Sequence, residues 1–297
     1  MILNLAWWNI GISPPIKKQK KDKSDAIKIA KHYIKKISLQ RSIDFFAICE
    51  VSEDEAICFK EISDKLHMSY IDLSEVVGRV IIDIAVMYER SKLEYIKHKS
   101  IVHTQPNGKN LRVGVRVVFK DVSNEEIITF FLSHWPSMLS ATDSVRDDIA
   151  SVLRYQIDAI YEKHGPTSQV ICMGDYNTPP YSVAIHEKLF ATRDYHIIKK
   201  RPALLYNPFW GLLTNGRMNN VGTYHFRSPK DNRWFVLDQM MFSSSFLLST
   251  GDKLKLHPTS FDFHNIISDD ENRVLDDTFF KTFDHYPIFC RLSHELK

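Results

Sequence analysis

Along this chain, apolar runs of strand length alternate with a smaller number of stretches that have a helical period. Strands are predicted at residues 1–8, 43–51, 80–88, 93–102, 111–119, 127–133, 169–174, 222–226, 234–243 and 286–292. A helix is predicted over residues 25–39, where Ile27, Ala30, Ile34 and Ile37 recur at helical spacing behind Ser24, a candidate N-cap. Residues 53–67 carry a second helical stretch. The clearest helix covers residues 143–162, with Val145, Ile149, Leu153, Ile157 and Ile160 on one face. NGKN at 107–110 is a hairpin-turn candidate. Residues 201–222, rich in Asn, Gly, Pro and aromatics, read as a long functional loop. No repeat or linker interrupts the pattern, so the expectation is a single domain over residues 1–297.

Composition narrows the class. At 297 residues a folded chain buries roughly three quarters of its unfolded surface, so the core needs no disulfide support. The four cysteines, Cys49, Cys58, Cys172 and Cys290, show neither CxxC nor zinc spacing. Three of them lie inside apolar runs, as reduced, buried thiols do. The N-terminus lacks a secretory leader pattern, and no apolar run approaches the roughly 20 residues of a membrane helix. The expectation is therefore a cytoplasmic protein without membrane insertion. Lys and Arg number 39 against 36 Asp and Glu, a net charge of +3, so affinity for a polyanion has to come from local patches. One candidate patch is KKQKKDK at 17–23, read first as a solvated mobile loop and second as a phosphate-tracking arm.

The candidate chemistry lies where apolar strands end. Asn9 follows LAWW, Glu50 follows DFFAIC, His134 follows ITFFLS, Asp175 and Asn177 follow QVICMG, Asp238 follows WFVL, and Asp284 and His285 precede YPIFCRL. Each position alone is more often structural than catalytic; together they have a chemical sense. Glu50 is the hard oxygen ligand that Mg²⁺ takes, with water and substrate phosphate completing the shell. Asp175 and Asn177, two apart, share a face of an extended segment, so a carboxylate that orients or deprotonates water sits beside an amide that donates to a phosphoryl oxygen. Asp284 and His285 point apart, and Asp238 is available to fix the tautomer of His285. A metal, a His–Asp pair, a second histidine and an amide suit phosphodiester hydrolysis.

Read in order, WWN at 7–9, ICE at 48–50, SHW at 133–135, GDYN at 174–177, LDQ at 237–239 and FDHYP at 283–287 resemble the endonuclease/exonuclease/phosphatase superfamily, the DNase-I-like metal phosphoesterases. The segments SHWPS, LLYNPFWGLL, GTYHF and FVLDQMMFS are most similar to a bacterial branch of unassigned function. The resemblance implies an α/β fold, a four-layer two-sheet sandwich with helices outside and the site at one end of the sheets. It implies Mg²⁺ or Mn²⁺ as cofactor, with Glu50 the main ligand and Asn9 and Asp284 on the metal side. His134 matches a histidine that contacts the scissile phosphate, Asp175 and Asn177 the pair that orients the nucleophilic water, and Asp238 the acid paired with His285. Where the family carries Ser or Thr before the last Asp-His, this chain carries Phe283. Asp83, inside RVIIDIAVMY, loosely matches a carboxylate beside the His134 equivalent, against a solvent-facing alternative; Arg112, opening LRVGVRVVF, reads either as a support of the site or, slightly favoured, as a surface salt-bridge partner.

Substrate choice is expected from Arg217, Trp210 and Tyr224 in residues 201–227 and from Arg146 after SHWPS. Arginine interleaved with aromatics suits phosphate contact plus base stacking, against a loop that packs its own aromatics. The expected activity is a metal-dependent phosphodiesterase, foremost a nuclease acting on DNA. The alternatives are a phosphoesterase for a nucleotide, phosphoinositide or sphingomyelin-type phosphate, and a non-catalytic binding protein on the same fold.

Overall fold

A computed structural model describes residues 1–12, 23–213, 222–228, 231–248, 251–256 and 275–294. The expected lysine run therefore lies outside the described residues except for Lys23, whose ammonium pairs with Glu55 at 3.1 Å. The first strands are β1 (Ile2–Asn9), β2 (Phe45–Cys49), β3 (Ser69–Asp72), β4 (Glu75–Val77), β5 (Val80–Ile82), β6 (Ile84–Tyr88), β7 (Leu93–Thr104) and β8 (Asn110–Asp121). They are followed by β9 (Ile127–His134), β10 (Gln169–Asp175), β11 (Ala191–Thr192), β12 (Leu205–Tyr206), β13 (Tyr224–Ser228), β14 (Asp231–Phe235), β15 (Asp238–Ser243), β16 (Lys255–Leu256) and β17 (Ile288–Ser293). The main helices are α1 (Ser24–Arg41), α2 (Glu53–Lys65) and α3 (Asp143–His164).

Two large sheets result, ordered β16-β17-β1-β2-β6-β3 and β11-β12-β15-β10-β9-β8-β7. Their inner faces meet: Leu5, Trp7 and Phe45 of the first pack against Phe119, Phe130, Leu132 and Ile171 of the second. The Phe45 and Phe130 rings stack at 4.3 Å. The outer face of the first sheet, with Ala6, Trp8, Phe46 and Ile48, is covered by Tyr33, Ile34 and Ile37 of α1 and by Phe59 of α2. The outer face of the second, with Phe131, Val170 and Cys172, is covered by Ile149, Leu153 and Ile157 of α3. Burial on both faces is why β2 is apolar throughout, and why β1 and β10 are mostly apolar apart from Asn4 and the polar residues at their ends, instead of alternating. Each such side chain contributes about 1.5–3 kcal/mol of burial. The result is the expected sandwich of two sheets between helices.

The structure redraws several boundaries. Ser24 is the first residue of α1; Lys23 occupies the cap position and makes no side-chain capping bond. The run 80–88 breaks at Asp83, after which the chain passes from the β4–β5 hairpin into the first sheet. The run 234–243 breaks at Val236–Leu237, where the backbone amides of Leu237 and Asp238 donate to Thr223 Oγ1 instead of extending a ladder. Part of the expected loop 201–222 is ordered: it holds β12 and a 3₁₀ turn, Pro208–Leu213, with Phe209 fully buried. Asn207 fixes this segment by donating from Nδ2 to Gln239 Oε1 at 2.8 Å.

Candidate active site

Strand register assembles the site. Asp175 at the end of β10 is abreast of His134 on one side and Asp238 on the other, so three polar side chains stand at neighbouring strand positions about 4.8 Å apart. The approach depends on Gly174, where a Cβ would lie 2.1 Å from the Ser133 carbonyl oxygen. In the first sheet β1 ends on Asn9 beside Cys49, and Glu50 follows. Glu50 and Asn177 both adopt positive φ, +60° and +49°. Such conformations cost of order 1–3 kcal/mol for residues with a side chain and gather at functional sites.

On one side of Asp175 lies a buried relay. Trp7 Nε1–H donates to Asp238 Oδ1 at 3.0 Å, while Asp238 Oδ2 bonds His285 Nδ1 at 2.8 Å. His285 Nε2 then faces Asp175 Oδ2 at 3.7 Å, and Tyr224 lies against the imidazole with ring centroids 4.6 Å apart. Burial pushes Asp238 up to about 6 against the pull of His285. Burial also opposes protonation of His285, but the carboxylates of Asp238 and Asp175 outweigh it and raise the imidazole to about 10. Trp7 is the member of this chain that the sequence reading gave no role.

On the other side is a second His–Asp pair. His134 Nδ1 bonds Asp83 Oδ2 at 2.9 Å, and His134 Nε2 faces Glu50 Oε1 at 3.6 Å. Arg112 is not a surface residue: it is buried, 3.1 Å from Asp83 Oδ1, and donates to the Ile81 carbonyl at 3.0 Å. Burial opposes ionisation of Asp83, yet the Arg112 guanidinium and His134 hold its carboxyl below the usual range. A carboxylate in the middle of an apolar run was the sequence signal for this pair.

Asn9 joins the two halves. Its Nδ2 donates to Glu50 Oε1 at 3.2 Å and to Asp175 Oδ2 at 3.0 Å, while its Oδ1 accepts from the Gly11 amide. It presents donors to the two carboxylates and so braces them. Asp175 Oδ1 accepts from the Asn177 amide at 2.9 Å, and Asn177 Nδ2 donates to the Trp135 carbonyl. Burial raises the pKa of Glu50, opposed by His134.

These groups open into a cavity of about 790 Å³ whose lining includes Glu50, His134, Asp175, Asn177, Tyr224, Asp284 and His285. Glu50 and Asp284 offer it hard carboxylate oxygens, the donor type that suits Mg²⁺ or Mn²⁺. Asp175, Asp238 and His285 also place ligand atoms within 4.8 Å of one another. Both Asp238 oxygens, however, are already bonded, one to Trp7 and the other to His285.

The expected substrate residues divide. Tyr224 lines the cavity. Arg146 does not: it is 3% exposed, bonded to Asp143 at 2.5 Å and to the Ala141 carbonyl at 3.1 Å, and so secures the start of α3. Trp210 packs away from the cavity, against Tyr181, His186 and the Arg193 guanidinium. Arg217 lies outside the described residues.

Residues 16–292 match the model of the endonuclease/exonuclease/phosphatase family. No curated protein matches by sequence. Among solved structures, the human nocturnin catalytic domain with bound sulfate is similar at 14% identity and a TM-score of 0.62, over 99% of this chain and 95% of that one. TDP2 of D. rerio, complexed with single-strand DNA product, gives 16% identity and 0.58 over 98% and 99%. A mannosyl-6-phosphatase of Bacteroides thetaiotaomicron gives 15% and 0.61 over 98% and 99%.

Proposed function

The chain belongs to the endonuclease/exonuclease/phosphatase family, and from that premise we propose that it is a divalent-metal-dependent phosphodiesterase that cleaves nucleic acid, DNA foremost. The observation that carries this reading is the pair of buried His–Asp couples, His285–Asp238 and His134–Asp83, whose Nε2 atoms face Asp175 and Glu50. A phosphate placed between them meets an imidazole on each side. A water seated between Asp175 and His285 Nε2 is within reach of both; the imidazole, held protonated by its two carboxylates, orients the water, and Asp175 accepts its proton. Asp238, itself held by the Trp7 Nε1–H, accepts from His285 Nδ1–H and so orients the ring with its Nε2–H towards the water.

His134 Nε2 and the second N–H of Asn177 Nδ2, the one not given to the Trp135 carbonyl, stabilise charge on the phosphoryl oxygens. Glu50 and Asp284 would hold the metal, with Asn9 bracing Glu50 against Asp175. The bound cation supplies Lewis-acid polarisation and neutralises phosphate charge. Aromatic Tyr224, Phe226 and Phe235 line the cavity and favour a substrate with ring systems. The similarity to a TDP2 structure that holds a DNA product supports the same direction.

The test is hydrolysis by purified protein of supercoiled plasmid, linear duplex, single-stranded DNA, RNA and a generic phosphodiester, with Mg²⁺, Mn²⁺ or EDTA and Asp175→Asn alongside. Metal-dependent DNA cleavage by wild type alone is expected. Cleavage of the generic diester with every nucleic acid untouched would move the substrate to small or lipid phosphates.

A further inference from the structure

The bond between Asp238 and His285 joins segments 47 positions apart in the chain, and one further residue touches the backbone of both. Between β14, which ends at Phe235, and β15, which begins at Asp238, the chain leaves its ladder. Leu237 and Asp238 are buried there, so their amides need a partner inside the protein. Thr223 Oγ1 meets both, accepting from the Leu237 amide at 2.9 Å and from the Asp238 amide at 2.8 Å. A hydroxyl oxygen has two lone pairs, and both are used. On the other side of the break the Leu237 carbonyl accepts from the amide of Tyr176, next to Asp175, at 3.0 Å.

The main chain of the same residue holds the histidine's segment. The Thr223 carbonyl accepts from the Tyr286 amide at 2.7 Å, and the His225 amide donates to the Asp284 carbonyl at 2.8 Å. These two bonds flank His285, with Tyr224 bridged to it between them. Thr223 is itself buried and fixed in place, since its amide donates to the Phe235 carbonyl at 2.8 Å. Gly222 permits that approach: a Cβ there would lie 2.6 Å from the same carbonyl oxygen. The side chain of Thr223 thus seats Asp238 while its carbonyl seats the residue after His285, so the hydroxyl governs how the carboxylate meets the imidazole.

We propose that Thr223 is a positioning residue for the reaction, whose hydroxyl sets Asp238 against His285 and so aims Nε2 at the water. The kinetic part rests on the phosphodiesterase reading; a spectroscopic readout does not. Thr223→Val removes the hydroxyl at nearly constant shape, and Thr223→Ser keeps it. Steady-state hydrolysis of thymidine 5′-(p-nitrophenyl phosphate) with Mg²⁺ compares both variants, in the wild-type and in the Asp238→Asn background. Should Thr223→Val fail to fold by thermal melting, Thr223→Ala, which leaves room for water at the two amides, replaces it in every arm.

Thr223→Val is expected to lower kcat about 10- to 100-fold, as loss of a supporting partner does, and to leave KM within about three-fold. Thr223→Ser should stay within about three-fold of wild type in both constants. In the Asp238→Asn background Thr223→Val should cost less than about three-fold more, because the residue it positions is already lost. The indole N–H resonance of Trp7, assigned through Trp7→Phe, reports the place of Asp238 without turnover, since that N–H donates to Asp238 Oδ1 at 3.0 Å. It should move in Thr223→Val and keep its wild-type position in Thr223→Ser. An unmoved resonance in Thr223→Val, an equal kinetic loss in both backgrounds, or a Thr223→Ser variant as impaired as Thr223→Val would overturn the proposal. A resonance that moves as expected, with wild type inactive on every phosphodiester, would sink the phosphodiesterase reading and leave Thr223 as the residue that seats Asp238.

Discussion

Replacing Arg112 with methionine tests whether the second His–Asp pair is held by a buried cation. Asp83 is 1% exposed and has two charged neighbours, Arg112 at 3.1 Å and His134 at 2.9 Å. Methionine fills much of the arginine volume but leaves the Asp83 carboxylate without its permanent cation and the Ile81 carbonyl without a donor. Breaking a buried pair from one side costs about 3–5 kcal/mol. The His134 hydrogen bond to Asp83 remains, which brings the expected loss to about 2–4 kcal/mol. For a chain of this size that lowers the melting temperature by roughly 4–8 °C.

The sign of the pH dependence follows from Asp83. Its folded pKa is held below the ordinary 3.8, so its contribution is present above pH 3.8 and is lost as pH falls through the folded value. The melting gap between wild type and Arg112→Met should therefore be widest above pH 4 and narrow on acidification. Turnover should fall about 10- to 100-fold because Asp83, no longer anchored by the guanidinium, stops holding the His134 ring in place. Adding Asp83→Asn should restore part of the stability and none of the turnover. A variant that melts within about 1 °C of wild type at pH 7, with unchanged turnover, would refute the role given to Arg112.

Other substitutions separate the parts of the site. Trp7→Phe removes the 3.0 Å bond to Asp238 and should lower kcat about 10- to 100-fold with little change in KM, read by steady-state kinetics. Glu50→Gln should raise the metal concentration that gives half-maximal activity, and an unchanged metal titration would count against its ligand role. Gly174→Ala forces a methyl towards the Ser133 carbonyl and should lower stability by about 1–3 kcal/mol or more, measured by denaturant unfolding. Arg146→Ala should lower the melting temperature and leave KM unchanged; a raised KM would return Arg146 to the substrate-binding surface.

The sandwich was legible because strands buried on both faces are mostly apolar along their length, as β2 is throughout and β1 and β10 are in their interiors apart from Asn4, and because the polar residues that end them stand out. Register then carries those ends to one place, which is how His134, Asp175 and Asp238 come abreast. What escaped the sequence is what depends on chain direction after a break. The runs containing Asp83 and Asp238 read as continuous strands, yet the chain changes sheets at each, and that turn delivers the carboxylate to a histidine. Arg112 looked like a surface cation because its partner lies 29 positions away in another sheet element. Arg146 looked available because a helix start is normally exposed, whereas here Asp143 and Ala141 hold it down. Asn9 ends a buried strand in the sequence, but only the structure, with the Gly11 amide on its oxygen, shows which end of its amide meets the carboxylates.

The most direct test of the central claim is single-turnover cleavage of a fluorescent single-stranded oligonucleotide with saturating Mg²⁺ by wild type, Asp175→Asn and His285→Ala. The account predicts cleavage by wild type that stops in EDTA and falls by about 10²- to 10⁴-fold in each variant while oligonucleotide binding persists. Cleavage at the wild-type rate in both variants would contradict it.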